Sequence, residues 1–450
     1  MDASVEEARS WSAAEQGRAI AAGRLDPVAL AEAYLDAIGR HPAGHLVYAR
    51  LAPARARAEA EAARARAREG RSLGPLDGVC VVWKDLFDTA GVPTEAGSRL
   101  LAARMPAEDA EVVRRATAQG AVCLGKTQMS ELAFSGLGVN PMAATPPNRH
   151  GAHLAPGGSS SGAAAALAFD LAPLAIGTDT GGSVRIPAAW NDLVGLKTTA
   201  GLVPLEGCVP LSPRLDTVGP LARSVEDAAL GLALLTGEAA PAIDGVEPGD
   251  VALFVPSTEV MDVLERPIDD GFGQALDRLG AAGIAVGHGA FDGLAETVRI
   301  ARERSMLVNR DAWDLWGARL DANRDVVFAP VEARIRAGAA IDPGVDAEVE
   351  AAFARLGAEA AAWIGTHGLI AMPTVACPPP PVAPLLADTE LYHERNAKAL
   401  RNTRLANLLG LSAITLPTGT PWTGLMLLGP PRGEAGLLAA ARAVERVLAA

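Results

Sequence analysis

The chain is 450 residues long, 49% hydrophobic and 21% charged, with a formal net charge of −13. This is the balance of a globular protein with a sizeable core, and its acidity argues against free nucleic acid or an anionic membrane surface as a partner. No uninterrupted apolar run approaches the roughly 18 residues of a membrane span.

The first ten residues, MDASVEEARS, are acidic and lack the basic-then-apolar order of a secretory signal. Asp26 followed by Pro27 reads as an N-cap with proline at the first helical position, opening a helix to about Arg40. Residues 52–69, dense in Ala, Arg and Glu, read as a helix with a solvated charged face. Residues 1–70 are thus expected to be helices packed on the same domain as residues 71–450.

Short apolar runs begin near residue 73 and lie at 79–83, 121–124, 173–176 and 194–196, with helical segments at 109–119 and 161–170 between them. This alternation predicts an α/β fold in which helices cover both faces of a sheet. Ser224 and Asp227 open a further helix with a capping-box pattern. A strand at 251–255, Ala-rich helices, late strands at 369–371, 413–416 and 425–428 and an amphipathic helix over 432–449 complete the chain. The run from Cys377 to Pro381 reads as a stiff connector. No linker divides the sequence, so one large domain is expected. Cys80, Cys123, Cys208 and Cys377 are scattered, with no CxxC pair and no metal-ligand spacing, which predicts free thiols, a reducing cytoplasm and no metal site.

Two motif matches fail on context. Gly120–Thr127 fits GxxxxGK[ST], but the four residues between the glycines are apolar and read as the strand itself, where a phosphate loop needs a strand first and a turn between. Gly158–Gly162 fits GxSxG, but a turn-like segment (His153–Gly157) precedes it where a nucleophile elbow needs a strand. His288, His367 and His393 lie downstream without a distinctive setting, and His150 and His153 have no third metal ligand near them.

Three other segments make chemical sense together: Lys84 at the end of an apolar run, the Gly/Ser loop 156–162, and the segment 177–189 containing Thr180, Gly181, Gly182 and Ser183. Ser183 can act as a nucleophile. The amides of Thr180, Gly181, Gly182 and Ser183 can face an oxyanion, because glycine lets a substrate carbonyl approach the backbone. Lys84 can serve as base only when neutral, which for an ordinary lysine at pH 7 costs roughly 4–5 kcal/mol; burial without an anionic partner supplies such a shift. Asp85 points to the opposite face of the strand and is expected not to pair with Lys84. Ser159 can relay a proton between Lys84 and Ser183, since a hydroxyl both donates and accepts.

These residues resemble the amidase signature family, closely over 74–235 and more loosely over the whole chain. Residues 125–131, 215–228 and 424–430 resemble further family segments. The resemblance implies a mixed central β-sheet sandwiched between α-helices in a single large domain, no cofactor and no metal. It implies that Lys84, Ser159 and Ser183 are the catalytic residues, that the peptide bond before Ser159 is cis, and that Asp179 and Arg185 buttress the loop. Thr180, Gly181 and Gly182 are the expected oxyanion and substrate contacts. The activity implied is hydrolysis of a carboxamide or urea-type C–N bond through a serine acyl-enzyme, with a small-molecule amide as partner and a homodimer as the common assembly among relatives. The alternative is the A subunit of a glutamine-dependent tRNA amidotransferase. Trp83, Asn191, Asp192 and Thr198 depart from the family pattern without removing a catalytic group. Ile186 stands where glutamine-using subunits typically carry Gln, which favours a free-standing amidase.

Overall fold

Alternation of aliphatic residues along the late strands divides their side chains between two apolar cores. On the strand Gly424–Gly429, Leu425 and Leu427 join one core while Met426 and Leu428 join the other. A strand buried on both faces must sit inside a helix-covered sheet. The computed structural model describes residues 5–304, 307–323 and 325–449, and among these eleven strands form one sheet.

In chain order the strands are β1 (Tyr48–Leu51), β2 (Cys80–Lys84), β3 (Val122–Thr127), β4 (Leu174–Thr178), β5 (Val194–Lys197), β6 (Val218–Ala222), β7 (Ala252–Pro256), β8 (Ala285–Gly289), β9 (Leu369–Pro373), β10 (Ser412–Pro417) and β11 (Gly424–Gly429). Their order across the sheet is β1-β3-β2-β4-β6-β5-β10-β11-β9-β7-β8. β2 runs parallel to β3 and β4, and β7 runs parallel to β8 and β9. The other pairings are antiparallel, so the sheet is mixed, in a single-domain α/β fold.

The helices Ser161–Ala168, Val225–Thr236 and Glu434–Ala449 contribute to the larger core. The helices Asp292–Glu303, Pro343–His367 and Arg404–Leu408 contribute to the second. A third cluster, including Leu137, Ile186, Trp190 and Tyr392, lies under the glycine-rich loops.

The local signals behave as expected where they are chemically explicit. Asp26 caps the helix Pro27–Arg40 by accepting from the Val28 amide at 2.8 Å. Ser224 Oγ accepts from the Asp227 amide at 3.1 Å. The Asp227 carboxylate, however, does not close the box: it accepts from the Ala14 amide at 2.8 Å and so ties the N-terminal helices to the domain. Gly120–Thr127 is strand from Val122 onward, with Lys126 fully buried beside Asp85 at 3.2 Å. The first seventy residues differ from an all-helical expectation, because Tyr48–Leu51 adds an edge strand antiparallel to β3. Only Tyr48 of that strand is buried, so it carries too little alternation to be recognised. Among the described residues no helix is long and apolar enough to cross a membrane.

Candidate active site

The first component of the site comes from β2. Five consecutive residues, Cys80–Lys84, are buried, and Lys84 ends the strand with no exposed surface. Its Nζ stands 2.7 Å from Ser159 Oγ, 2.8 Å from Thr178 Oγ1 and 3.5 Å from Thr178 O. No carboxylate is among these contacts. A neutral amine has two N–H donors and one lone pair, which matches two oxygens of Thr178 and the hydroxyl of Ser159. Burial pushes the Lys84 pKa down to about 7, and the more distant charges of Asp216 and Asp179 oppose the shift only partly. As expected from strand alternation, Asp85 turns the other way, to Lys126.

Ser159 lies in the Gly/Ser loop, and the Gly158–Ser159 peptide bond is cis. Neighbouring backbone fixes the loop on both sides. Gly158 donates to the Gly136 carbonyl at 2.8 Å, and the Ser159 carbonyl accepts from the Ser130 amide at 3.0 Å. The Ser160 amide donates to the Ser183 carbonyl at 3.2 Å, which joins this loop to the one that follows β4. Asn191 Nδ2 donates to the carbonyls of Pro156 and Pro187, each at 2.8 Å, bridging the start of the loop to the helix Arg185–Trp190.

Asp179, fully buried, organises the loop that carries Ser183. Its carboxylate accepts from the amides of Gly182 (2.8 Å) and Val184 (3.1 Å), from both Nε and Nη2 of Arg185 (3.0 and 2.9 Å), and from Asn407 Nδ2 (3.0 Å). Burial alone would raise its pKa. The Arg185 charge and its hydrogen bonds outweigh that and hold the carboxyl down to about 2. The helix Arg404–Leu408 clamps the loop from outside: Asn407 Nδ2 also donates to the Asp179 carbonyl at 3.0 Å, and Thr403 Oγ1, just before the helix, donates to the Gly181 carbonyl at 2.7 Å.

This geometry corrects one expectation. The Gly182 amide is taken by the Asp179 carboxylate, so it does not face a substrate. The amides of Thr180, Gly181 and Ser183 have no protein acceptor among the described residues. Gly182 also takes a φ of 135°, a conformation open to glycine. Thr180 Oγ1 donates at 2.5 Å to Asp216, whose other carboxylate oxygen accepts from the Leu211 and Ser212 amides.

Thr180, Gly181 and Ser183 line a cleft of about 230 Å³, together with Phe134 of the larger core, Leu215 and Leu307 of the second and Leu400 beside the third. The structure therefore brings together Lys84, Ser159, the Ser183 loop, Asp179 and Arg185, as the sequence suggests. Three supporting residues escape sequence reasoning: Thr178, Asp216 and Asn407. Asp216 stands in a segment that resembles a family motif and Thr178 lies within the 177–189 segment, though neither stands out by itself; Asn407 carries no signal. Ile186 is buried in the third core and offers the cleft no polar group.

Comparison with known proteins places this arrangement in context. The amidase family model matches residues 29–438. The chain is 36% identical over 392 residues to 2-amino-5-chloromuconic acid deaminase of Comamonas testosteroni, covering 84% of each. It is 44% identical over 254 residues to the A subunit of the glutamyl-tRNA(Gln) amidotransferase of Acidothermus cellulolyticus, covering 54% of this chain and 46% of that one. A crystal structure of an amidase superposes with a TM-score of 0.86 at 30% identity, covering 97% of this chain and 99% of the other.

Proposed function

The chain belongs to the amidase signature family of C–N hydrolases, and from that membership we propose that it opens a small carboxamide or urea-type bond with Ser183 as nucleophile, Ser159 as proton relay and Lys84 as base. The observation that carries this reading is the contact between Lys84 Nζ and Ser159 Oγ at 2.7 Å, made by an amine without a carboxylate partner.

The steps follow from proton balance. Ser183 Oγ attacks the amide carbon and passes its proton to Ser159, whose own proton moves to the Lys84 amine. The carbonyl oxygen becomes an oxyanion, received by the free amides of the 180–183 loop. The tetrahedral intermediate collapses as the leaving nitrogen takes a proton back through Ser159 from the Lys84 ammonium, and ammonia or an amine departs. Water then repeats the sequence on the acyl-enzyme, returning Ser183. Asp179 and Arg185 hold the loop and do not touch the reacting atoms. The deaminase relative is named for removal of an amino group, in keeping with cleavage of a C–N bond. A reducing cytoplasm is part of this proposal, supported by four unpaired cysteines, three of them buried.

Labelling by a neutral fluorophosphonate, lost in Ser183→Ala, tests the nucleophile. Ammonia release across a panel of amides by the purified chain alone tests the free-standing activity. Glutaminase activity that appears only with partner subunits would favour the amidotransferase reading instead.

A further inference from the structure

The cleft in front of Ser183 carries positive charge that hydrolysis itself does not use. Arg334 and Arg404 both line it, and among the described residues no Asp or Glu does. Several other buried or half-buried arginines meet carboxylates, as Arg185 meets Asp179 and Arg214 meets Asp311 and Asp346, while Arg278 spends its fork on the carbonyls of Thr418, Val447 and Leu448. Arg334 and Arg404 meet none: among the described residues no carboxylate acts on either. Arg334 lies over the Phe134 ring at 3.9 Å and gives one N–H to the Phe134 carbonyl at 2.6 Å, so the rest of its fork is unspent. Arg404 Nε is buried with no hydrogen-bond partner among the described residues.

Their placement relates this charge to the reacting centre. Arg404 Cβ stands 3.8 Å from the point a Cβ on Gly181 would occupy, so its side chain starts against the nucleophile loop. Arg404 and Arg334 are close enough to repel, and burial together with that repulsion brings Arg334 down to about 10. Two half-buried like charges without a counter-ion are unfavourable unless something anionic arrives to meet them. In a chain of net charge −13 that leaves these two unneutralised, the missing counter-ion belongs to a ligand.

We infer that the amide substrate carries a carboxylate, received by Arg404 and Arg334 while its carboxamide carbon meets Ser183: a half-amide of a short dicarboxylic acid, or the corresponding urea. An α-ammonium on the same molecule would find no acidic side chain among the described residues of the cleft and would face two guanidiniums, so the acid lacks a free amine and differs from glutamine. The orientation of the substrate rests on the amidase reading above; the anion site does not.

The test uses the wild-type protein with succinate, glutarate and adipate as probes. At least one should bind by calorimetry and protect Ser183 from the fluorophosphonate. Ammonia release from the matching half-amide should exceed that from the uncharged amide of equal length by about 100-fold in kcat/KM. Arg404→Leu should lower that ratio at least about tenfold, with Arg404→Lys restoring part of it. Arg334→Leu should act in the same direction; because Arg334 also packs on Phe134, Arg404 carries the decision if the Arg334 variant does not fold. Fluorophosphonate labelling and turnover of neutral amides, with no dicarboxylate binding and a ratio near one, would overturn the anion site alone. Dicarboxylate binding lost in Arg404→Leu, with no labelling of Ser183 and no ammonia from any amide, would overturn the amidase reading and leave the anion site standing.

Discussion

Lys84 Nζ and Ser159 Oγ meet at 2.7 Å although they are 75 residues apart in sequence. The contact is between a buried strand end and a loop held by backbone hydrogen bonds on both sides, so neither partner needs to move to make it.

As the proposed base, Lys84 with a pKa near 7 would work only when deprotonated. Activity should therefore be full above pH 8 and fall tenfold per unit on the acid side, with a midpoint near 7. Lys84→Ala should lower kcat by about 10²–10⁴-fold, the usual contribution of a general base. A pH–rate profile of kcat/KM checks the first statement, and single-turnover acylation checks the second. A flat profile between pH 5.5 and 8 would remove Lys84 from the role of base.

The same residue should be a burden on stability. An ordinary lysine holds its proton to about pH 10.4, whereas folded Lys84 releases it near 7. Between those values the unfolded chain binds a proton that the folded chain does not, so stability contributed by this site rises with pH across the window. Lys84→Met should raise Tm, most at pH 7 and below and least near pH 10. Thermal unfolding at pH 6, 8 and 10 checks it; a gap of constant size would mean that proton linkage is not its source.

Asp179→Asn keeps the shape but leaves Arg185 buried beside a neutral partner. Breaking a buried pair in this way costs about 3–5 kcal/mol, measurable by urea unfolding. The folded Asp179 carboxyl lies near 2, below its usual value, so the stability it contributes is present above about pH 4 and is lost as pH falls toward 2. The wild type and Asp179→Asn should therefore converge in strong acid.

The two glycines of the nucleophile loop should respond differently to alanine. A Cβ on Gly182 would lie 2.1 Å from Thr403 Oγ1, at a φ of 135°, so Gly182→Ala must displace the clamp. A Cβ on Gly181 meets only Leu400 at 3.7 Å and Arg404 at 3.8 Å, which is ordinary contact. Gly182→Ala should lower both Tm and kcat, while Gly181→Ala should stay within about 1 kcal/mol of wild type and change KM. Equal Tm losses in the two variants would contradict the close approach of Thr403 to Gly182.

Lys126 and Asp85 form a buried pair one residue beyond the base. Lys126→Met alone should destabilise by about 3–5 kcal/mol, because it strands the Asp85 charge. Adding Asp85→Asn should restore much of the loss, which a double-mutant cycle in urea would measure. Simple additivity of the two changes would show that the pair is not coupled.

The strands with compact aliphatic runs were legible to within three residues, the largest miss being β3, which runs on through Gly125–Thr127, because both faces of the sheet are covered and burial leaves little room for polar residues. β6 hid itself: Pro220 lies in the middle of a strand flanked on both sides, where proline normally argues against a strand. β8 is glycine-rich and mostly exposed at the sheet edge, so it offers no alternation. Within the site, Lys84, Ser159 and Ser183 stood out because glycine and serine cluster where the backbone must approach a substrate. Thr178 looked like the ordinary end of an apolar strand. Asn407, 228 residues beyond Asp179, sits in a short helix with no motif, and only the tertiary fold shows that it reaches the loop.

That distance also bears on how the protein is made. A nascent chain that has emerged through residue 235 already contains Lys84, Ser159 and Ser183, yet Thr403 and Asn407, which grip the carbonyls of Gly181 and Asp179, are still to be translated. The grip on the loop thus forms only once residue 407 has been made. A chain cut short before residue 403 would leave the Ser183 loop without either of these grips.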